Sequence, residues 1–355
     1  LYDDAGYVNQ FWCDLIDPDT SHLEMALVHV MQSHKVLNSA FYYEAFDIPV
    51  QVVNKTLNFN VEIADFRHIK PEDQADALAK FRETDRLRGF DFKVSPLMRV
   101  TLIQLNARRY SMIWTAHHIL FDGWSRFVII DEFLKCYEAL AQGKTMPELP
   151  VDRYEDYIKY LKTIDRYKEQ SYWKGYLGDV EQGSLLPFIR GNADRTKGIG
   201  RYELKGFRVE PALKTKVDQF AQSNRLTVNA VLQGVWSFIL HSYTDKPDVM
   251  FGVTVSGRPD DLPNVEQRVG LYINTIPLRS KLERTLSVTD WLNKLQQSQI
   301  QSRDNQYTSL QDILQWTGIK GDLFDSLFVF DNYPINSAIA SNNWSLQLEN
   351  VNVFE

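Results

Sequence analysis

The apolar run Tyr110–Ala116 leads into His117-His118-Ile119-Leu120-Phe121-Asp122-Gly123, and a helical pattern follows at once. Phe127, Ile130, Leu134, Tyr137 and Leu140 recur at helical spacing, and Gly143 is placed to stop the helix. A strand that turns into a helix within so few residues belongs in a layered α/β body, where the helix packs back over its own sheet. The strand period sends successive side chains to opposite faces, so the two imidazoles must diverge. One can face a cleft, and the other must turn back into the fold. Asp122 stands just ahead of the helix, near the positive end of its dipole. It is expected to be held in hydrogen bonds that fix the turn, not to exchange protons. Gly123 lets the backbone bend.

The alternation continues on either side. Tyr7–Leu15 and Met98–Leu105 read as strands, and Asn106-Ala107-Arg108-Arg109 turns the latter into Tyr110–Ala116. Val50–Val53 and Phe59–Ile63 are shorter strand candidates, while Ser21–Ser33, Glu72–Arg88 and Tyr154–Leu177 read as helices. A second cycle has strand-like Tyr202–Val209, Asp248–Val255, Val269–Leu278 and Ser326–Phe330 with helical Leu213–Ser223, Val228–Tyr243 and Val288–Asn305. Between the cycles, residues 178–200 carry Gly183, Pro187, Gly191, Gly198 and Gly200 and few sustained apolar positions. They read as a linker joining an N-terminal half, 1–177, to a C-terminal half, 201–355. Each half mixes sheet and helix, an α/β (α+β) class.

With 355 residues and 44% apolar content the chain can fill a sizeable core. A net charge of −7 without a basic block argues against nucleic acid as a partner. No apolar stretch is long enough for a bilayer, no signal peptide is visible, and Cys13 and Cys136 are too few for a disulfide framework. A reducing, cytoplasmic setting without membrane contact is expected.

A positioned neutral imidazole can accept a proton from an attacking amine, so the His-His…Asp-Gly turn points to acyl transfer. His22, His29, His34, His68 and His241 are expected to be structural. Adjacent histidines in an extended segment cannot easily grip one ion, and no third ligand lies nearby, so no metal is expected. A serine hydrolase would need a G-x-S-x-G elbow, which is absent; Ser125 or Ser256 alone is weak support. Gly198 and Gly200 lack a preceding strand and a third glycine, which leaves nucleotide binding unsupported.

The H-H-x-x-x-D-G pattern followed by Trp124-Ser125 resembles the core motif of condensation domains from nonribosomal peptide synthetases, which belong to the chloramphenicol acetyltransferase-like superfamily. Tyr154-Glu155-Asp156-Tyr157, the pair Tyr172-Trp173, Val255-Ser256-Gly257-Arg258-Pro259 and Val269–Thr275 with Pro277 and Arg279 resemble further motifs of that family, in its order. There are departures. The family's R-H-E-x-L-R-T-x-F stretch stands here as Ser33–Phe41, with Ser33 and Asn38 where arginines are usual. The family's first motif would precede Leu1, and its last strands and helix would follow Glu355, so the sequence reads as a fragment.

The resemblance implies two acetyltransferase-like subdomains in a V, with the active site and a tunnel between them. It implies that a donor acyl or peptidyl thioester and an acceptor aminoacyl thioester, each on the phosphopantetheine of a carrier protein, meet there to form an amide. The partners would be donor and acceptor carrier proteins and adjacent synthetase domains, with no intrinsic cofactor. His118 would act as general base or as the group that orients the amine. His117 would support the turn, Asp122 would pair with Arg258, and the Gly123 N–H would face the developing oxyanion. Asn274, Trp173 and Trp124 would line the substrate path, with interior packing as the alternative for Asn274 and Trp173. Three other readings share the motif: an epimerisation domain, a coenzyme A-dependent acyltransferase, and a non-catalytic domain that recruits partners.

Overall fold

The computed structural model describes residues 5–151, 153–188, 204–331 and 344–354. In chain order its elements are β1 (Val8–Ile16), α1 (Thr20–Ser33), β2 (Ser39–Tyr42), β3 (Val50–Val53), β4 (Glu62–Asp65), α2 (Pro71–Leu87), β5 (Met98–Gln104), β6 (Arg109–His117) and α3 (Gly123–Ala141). They continue as α4 (Tyr154–Leu161), α5 (Arg166–Leu177), α6 (Pro211–Ser223), α7 (Val228–Thr244), β7 (Asp248–Val255), β8 (Asn274–Lys281), α8 (Val288–Arg303), α9 (Leu310–Thr317), β9 (Leu327–Phe328) and β10 (Gln347–Phe354).

Two compact units emerge, and neither is contiguous. The first takes the described parts of Leu1–Lys159, Pro259–Tyr272 and Asn332–Glu355; the second takes those of Tyr160–Arg258 and Ile273–Asp331. The division therefore departs from contiguous halves at 1–177 and 201–355. α5 belongs with the second unit because Trp173 and Leu177 are buried in that unit's core. β10 belongs with the first because it pairs antiparallel along the edge of β1 that β6 leaves open. Of the proposed linker, residues 189–200 lie outside the described residues.

In the first unit a five-stranded sheet runs in the order β10-β1-β6-β5-β4, antiparallel except for the β4–β5 pair. From Ser111 to His117, β6 is buried at every position, because helices cover both of its faces. Toward α1 and α3 it presents Met112, Trp114 and Ala116, which join Phe11, Cys13, Leu15, Leu27 and Phe133 in the main core. Toward α2 it presents Ile113, packed with Leu78 and Ile103. Cys13 and Cys136 are both free and buried within the main core, and burial pushes the Cys136 thiol up to about 11.

The second unit has a three-stranded sheet, β8-β7-β9, with β8 antiparallel and β9 parallel to β7. Its core gathers Val249, Phe251 and Val253 of β7, Ile276 and Leu278 of β8, and Trp173, Leu240, Leu295 and Ile313 from the helices.

Several elements depart from the sequence reading. The helical stretch Tyr154–Leu177 is two helices, because Asp165 caps α5 by accepting from the Tyr167 and Lys168 N–H groups. Residues 204–209 form no strand, and Leu204 and Phe207 project into solvent. Only Asn274 onward in Val269–Leu278 is strand. The preceding four residues do something else, as described next.

Candidate active site

β6 ends at His117, and its N–H donates to Leu97 O at 2.9 Å. The His118 N–H donates to Tyr7 O at 2.8 Å, so both backbones are pinned to neighbouring strands or their ends. The side chains then part as the strand period requires. His117 is buried, at 6% exposure, among Tyr7, Phe90 and Phe92, with the Phe92 ring edge-on at 4.8 Å. Its Nδ1 accepts the Ile119 N–H at 3.1 Å, which fixes the proton of the neutral ring on Nε2. Burial, with a smaller push from the neighbouring His118, brings its pKa down to about 4. His117 is thus a buried imidazole hydrogen-bonded to the backbone of the turn that follows it. His118 is half-buried and the more accessible of the two.

Asp122 has no exposed surface. It caps α3: Oδ1 accepts the Ser125 N–H at 2.8 Å. Its Oδ2 accepts the Tyr272 N–H at 3.1 Å, and its own N–H donates to Gly270 O at 3.1 Å. The Ser125 hydroxyl lies 2.8 Å from Asp122 Oδ1 and 2.9 Å from Gly270 O, and accepts the Gly270 N–H at 3.1 Å. That hydroxyl is committed to the turn, which leaves no support for a serine nucleophile there. Gly123 opens α3 and is buried.

The segment 269–272 is therefore a strap tied to the start of α3. Tyr154 donates to Leu271 O at 2.6 Å, and its ring meets that of Tyr272 edge-on at 5.4 Å. A side chain at Gly270 would drive its Cβ into the Tyr154 ring, which explains a glycine at this position. Trp124 Nε1 donates to Glu266 O at 2.8 Å, a second tie between α3 and the same strap.

The remaining expected site residues lie in the second unit. Arg258 is buried there. Asn274 spends its amide on the backbone, donating to Gln306 O and Thr308 O at 2.8 Å each. Trp173 is sealed at 0% exposure with Nε1 donating to Thr308 Oγ1 at 3.0 Å, the packing role the sequence left open. Asn38, where the family carries arginine, is buried and donates to Asn54 O and Thr56 O at 2.9 Å while accepting from Ser95 Oγ. Local backbone ties do the ordering there.

Of the histidines expected to be structural, His34 pairs with Glu132 at 2.6 Å and His241 with Lys246 O at 2.6 Å. Among the described residues no group of three or more His, Cys, Asp or Glu side chains is placed to hold a metal ion, and no helix is long and apolar enough to cross a membrane.

Sequence reasoning missed the support beneath His117. Asp85 of α2 is buried and accepts from Arg99, Gln10 and Thr115. A signal existed: Asp85 falls on the same stripe of α2 as Leu78 and Phe81, so it is an acid on an apolar face.

Comparisons with known proteins agree on one family. The family model for condensation domains matches residues 14–354. A component of the linear gramicidin synthase of Brevibacillus parabrevis is 38% identical over 324 residues, covering 89% of this chain and 4% of that protein. Bacitracin synthase 3 of Bacillus licheniformis is 34% identical over 349 residues, covering 98% of this chain and 5% of that protein. The chain thus spans a small fraction of the curated relatives it matches. Among solved structures, the starter condensation domain of rhizomide synthetase superimposes with a TM-score of 0.77 at 17% identity, covering 92% of this chain and 73% of that one.

Proposed function

This chain belongs to the condensation domains of nonribosomal peptide synthetases, and from that membership we propose that it joins a donor acyl or peptidyl thioester to an acceptor aminoacyl thioester. Both substrates ride on phosphopantetheine arms of carrier proteins. The acceptor nitrogen attacks the donor carbonyl carbon, a C–N bond forms, the C–S bond breaks, and the proton lost by the amine ends on the departing thiolate. The chain supplies position and a proton path, since thioester aminolysis is already downhill.

The observation that carries this reading is the unequal pair of imidazoles. His117 is sealed and locked by Ile119, while Asp122 holds the other end of the turn to α3 and to Tyr272, so His118 is presented from a rigid frame. His118 is the group that meets the amine. The Gly123 N–H, at the first position of α3, is assigned to the developing oxyanion. Donor and acceptor carriers and adjacent synthetase domains are the partners, in a cytoplasmic setting.

The test is direct. The domain is mixed with a loaded donor carrier and a loaded acceptor carrier, and the acceptor is examined by mass spectrometry. Amide-extended product on the acceptor is expected. Inversion of the donor's α-carbon without transfer would instead mean epimerisation, and transfer from free acyl coenzyme A alone would mean a coenzyme A-dependent acyltransferase. Binding of both carriers with neither outcome would leave only a recruiting role.

A further inference from the structure

The polar cluster under α2 is unusual in its placement. Asp85 is 7% exposed, and its carboxylate gathers the Arg99 Nε–H at 2.6 Å, the Gln10 amide at 3.2 Å and the Thr115 hydroxyl, with Arg88 at 3.4 Å on the outer side. Thr115 and Arg99 are cross-strand partners, as are Thr115 and Gln10, so the three side chains form one row across β1, β6 and β5. The next row toward the turn contains His117 opposite Val8.

Arg99 also reaches forward. It donates to Gly89 O at 2.9 Å and to Asp85 O, which pins the chain where α2 ends. Gly89 has a positive φ of 61°, which stops the helix and redirects the backbone. The next residues bring Phe90 and Phe92 against His117, and the Arg99 guanidinium lies 4.3 Å from the Phe90 ring centre. A continuous chain of contacts thus runs from Asp85 through Arg99 and Phe90 to the imidazole.

We infer that Asp85, Arg99 and Thr115 are positioning residues for the condensation reaction: they hold the Phe90–Phe92 segment as a dry cage that keeps His117 in the orientation from which the turn presents His118. This rests on the condensation reading for its effect on rate, but the cage itself does not. A buried charged pair stabilises little when set against apolar packing, so its value lies in geometry. The titratable groups around His117 are few. His118 follows it in the chain, Tyr7 stacks on it, Arg99 stands behind Phe90, and Asp91 and Lys93 on the caging segment are solvent-exposed.

The experiment uses the whole domain with Asp85→Asn, Arg99→Gln, Arg99→Lys and Phe90→Leu, each checked for folding by circular dichroism. Two quantities are read: the His117 titration by NMR of ring-labelled histidine, and single-turnover amide formation. Loosening the cage admits water, so His117 is expected to titrate at least one pH unit higher in Asp85→Asn, Arg99→Gln and Phe90→Leu. The single-turnover rate at saturating carrier is expected to fall roughly 10- to 100-fold, with the half-saturating carrier concentration little changed, the size of a small misplacement of the reacting groups. Arg99→Lys keeps the charge and should recover part of both. Phe90→Leu leaves the ion pair intact and tests the cage itself, while Thr115→Val, which keeps both charges and is read in the same two ways, tests the network even if the charge variants misfold. Folded variants with unmoved titration and unmoved rate would overturn the inference. A wild-type domain that forms no amide, with the titration still shifting in the variants, would refute the function and leave the positioning network standing.

Discussion

The two faces of the first unit's sheet are built on different principles. Under α1 and α3 the face is apolar along most of its length, with Phe11, Cys13, Leu15, Trp114 and Val100 packed against Leu27 and Phe133. Under α2 the far end is apolar, through Ile103, Ile113 and Leu78, but the end nearest the histidines carries Gln10, Thr115 and Arg99 around Asp85. Apolar packing is tolerant of detail, and it secures the fold. A saturated polar cluster adds little net stability but admits one arrangement. With that cluster placed behind His117, the sheet separates holding together from aiming.

That separation can be broken by experiment. The largest effect is expected on the apolar face. Phe133→Ala should cost about 3–5 kcal/mol in a denaturant titration, as for other large buried aromatics, while leaving the His117 titration in place. A shifted His117 would mean the faces are not independent.

Next comes acid. His117 is held near pKa 4 in the folded chain against about 6.5 for a free imidazole, so the unfolded state binds the extra proton first. Its contribution is complete above about pH 6.5 and is lost as pH falls toward 4. At full size it amounts to about 3 kcal/mol. Unfolding measured across this window should steepen with falling pH, and His117→Asn should flatten that part of the curve. An unchanged slope would show that the ring is not sealed.

The smallest stability change belongs to the polar face. Thr115→Val removes one donor from the Asp85 carboxylate at nearly constant volume and should cost about 1–2 kcal/mol. If the comparison holds, this modest change moves the His117 titration although Phe133→Ala does not.

Much of this frame was legible in the sequence. The apolar run into His117, the helical spacing from Phe127 and the carboxylate at the junction defined β6, the turn and α3, because each is a local pattern. The motif residues Tyr154, Gly270 and Tyr272 were visible, but their common task was not. What joins them is a set of hydrogen bonds to Asp122 and Leu271 across more than a hundred residues of chain. β10 escaped for the same reason. Its sequence, Gln347–Phe354, is half polar and exposed, and only the open edge of β1 makes it a strand. Tyr202–Val209 misled in the opposite direction: it has a strand's composition, but its described part has no sheet to join.

We propose that His118, presented by this turn, is the imidazole that meets the acceptor amine. Single-turnover amide formation between loaded carriers, followed for wild type and His118→Ala, tests it most directly. A loss of roughly two to four orders of magnitude in the folded variant is predicted. A His118→Ala domain that forms the amide at near wild-type rate would contradict it.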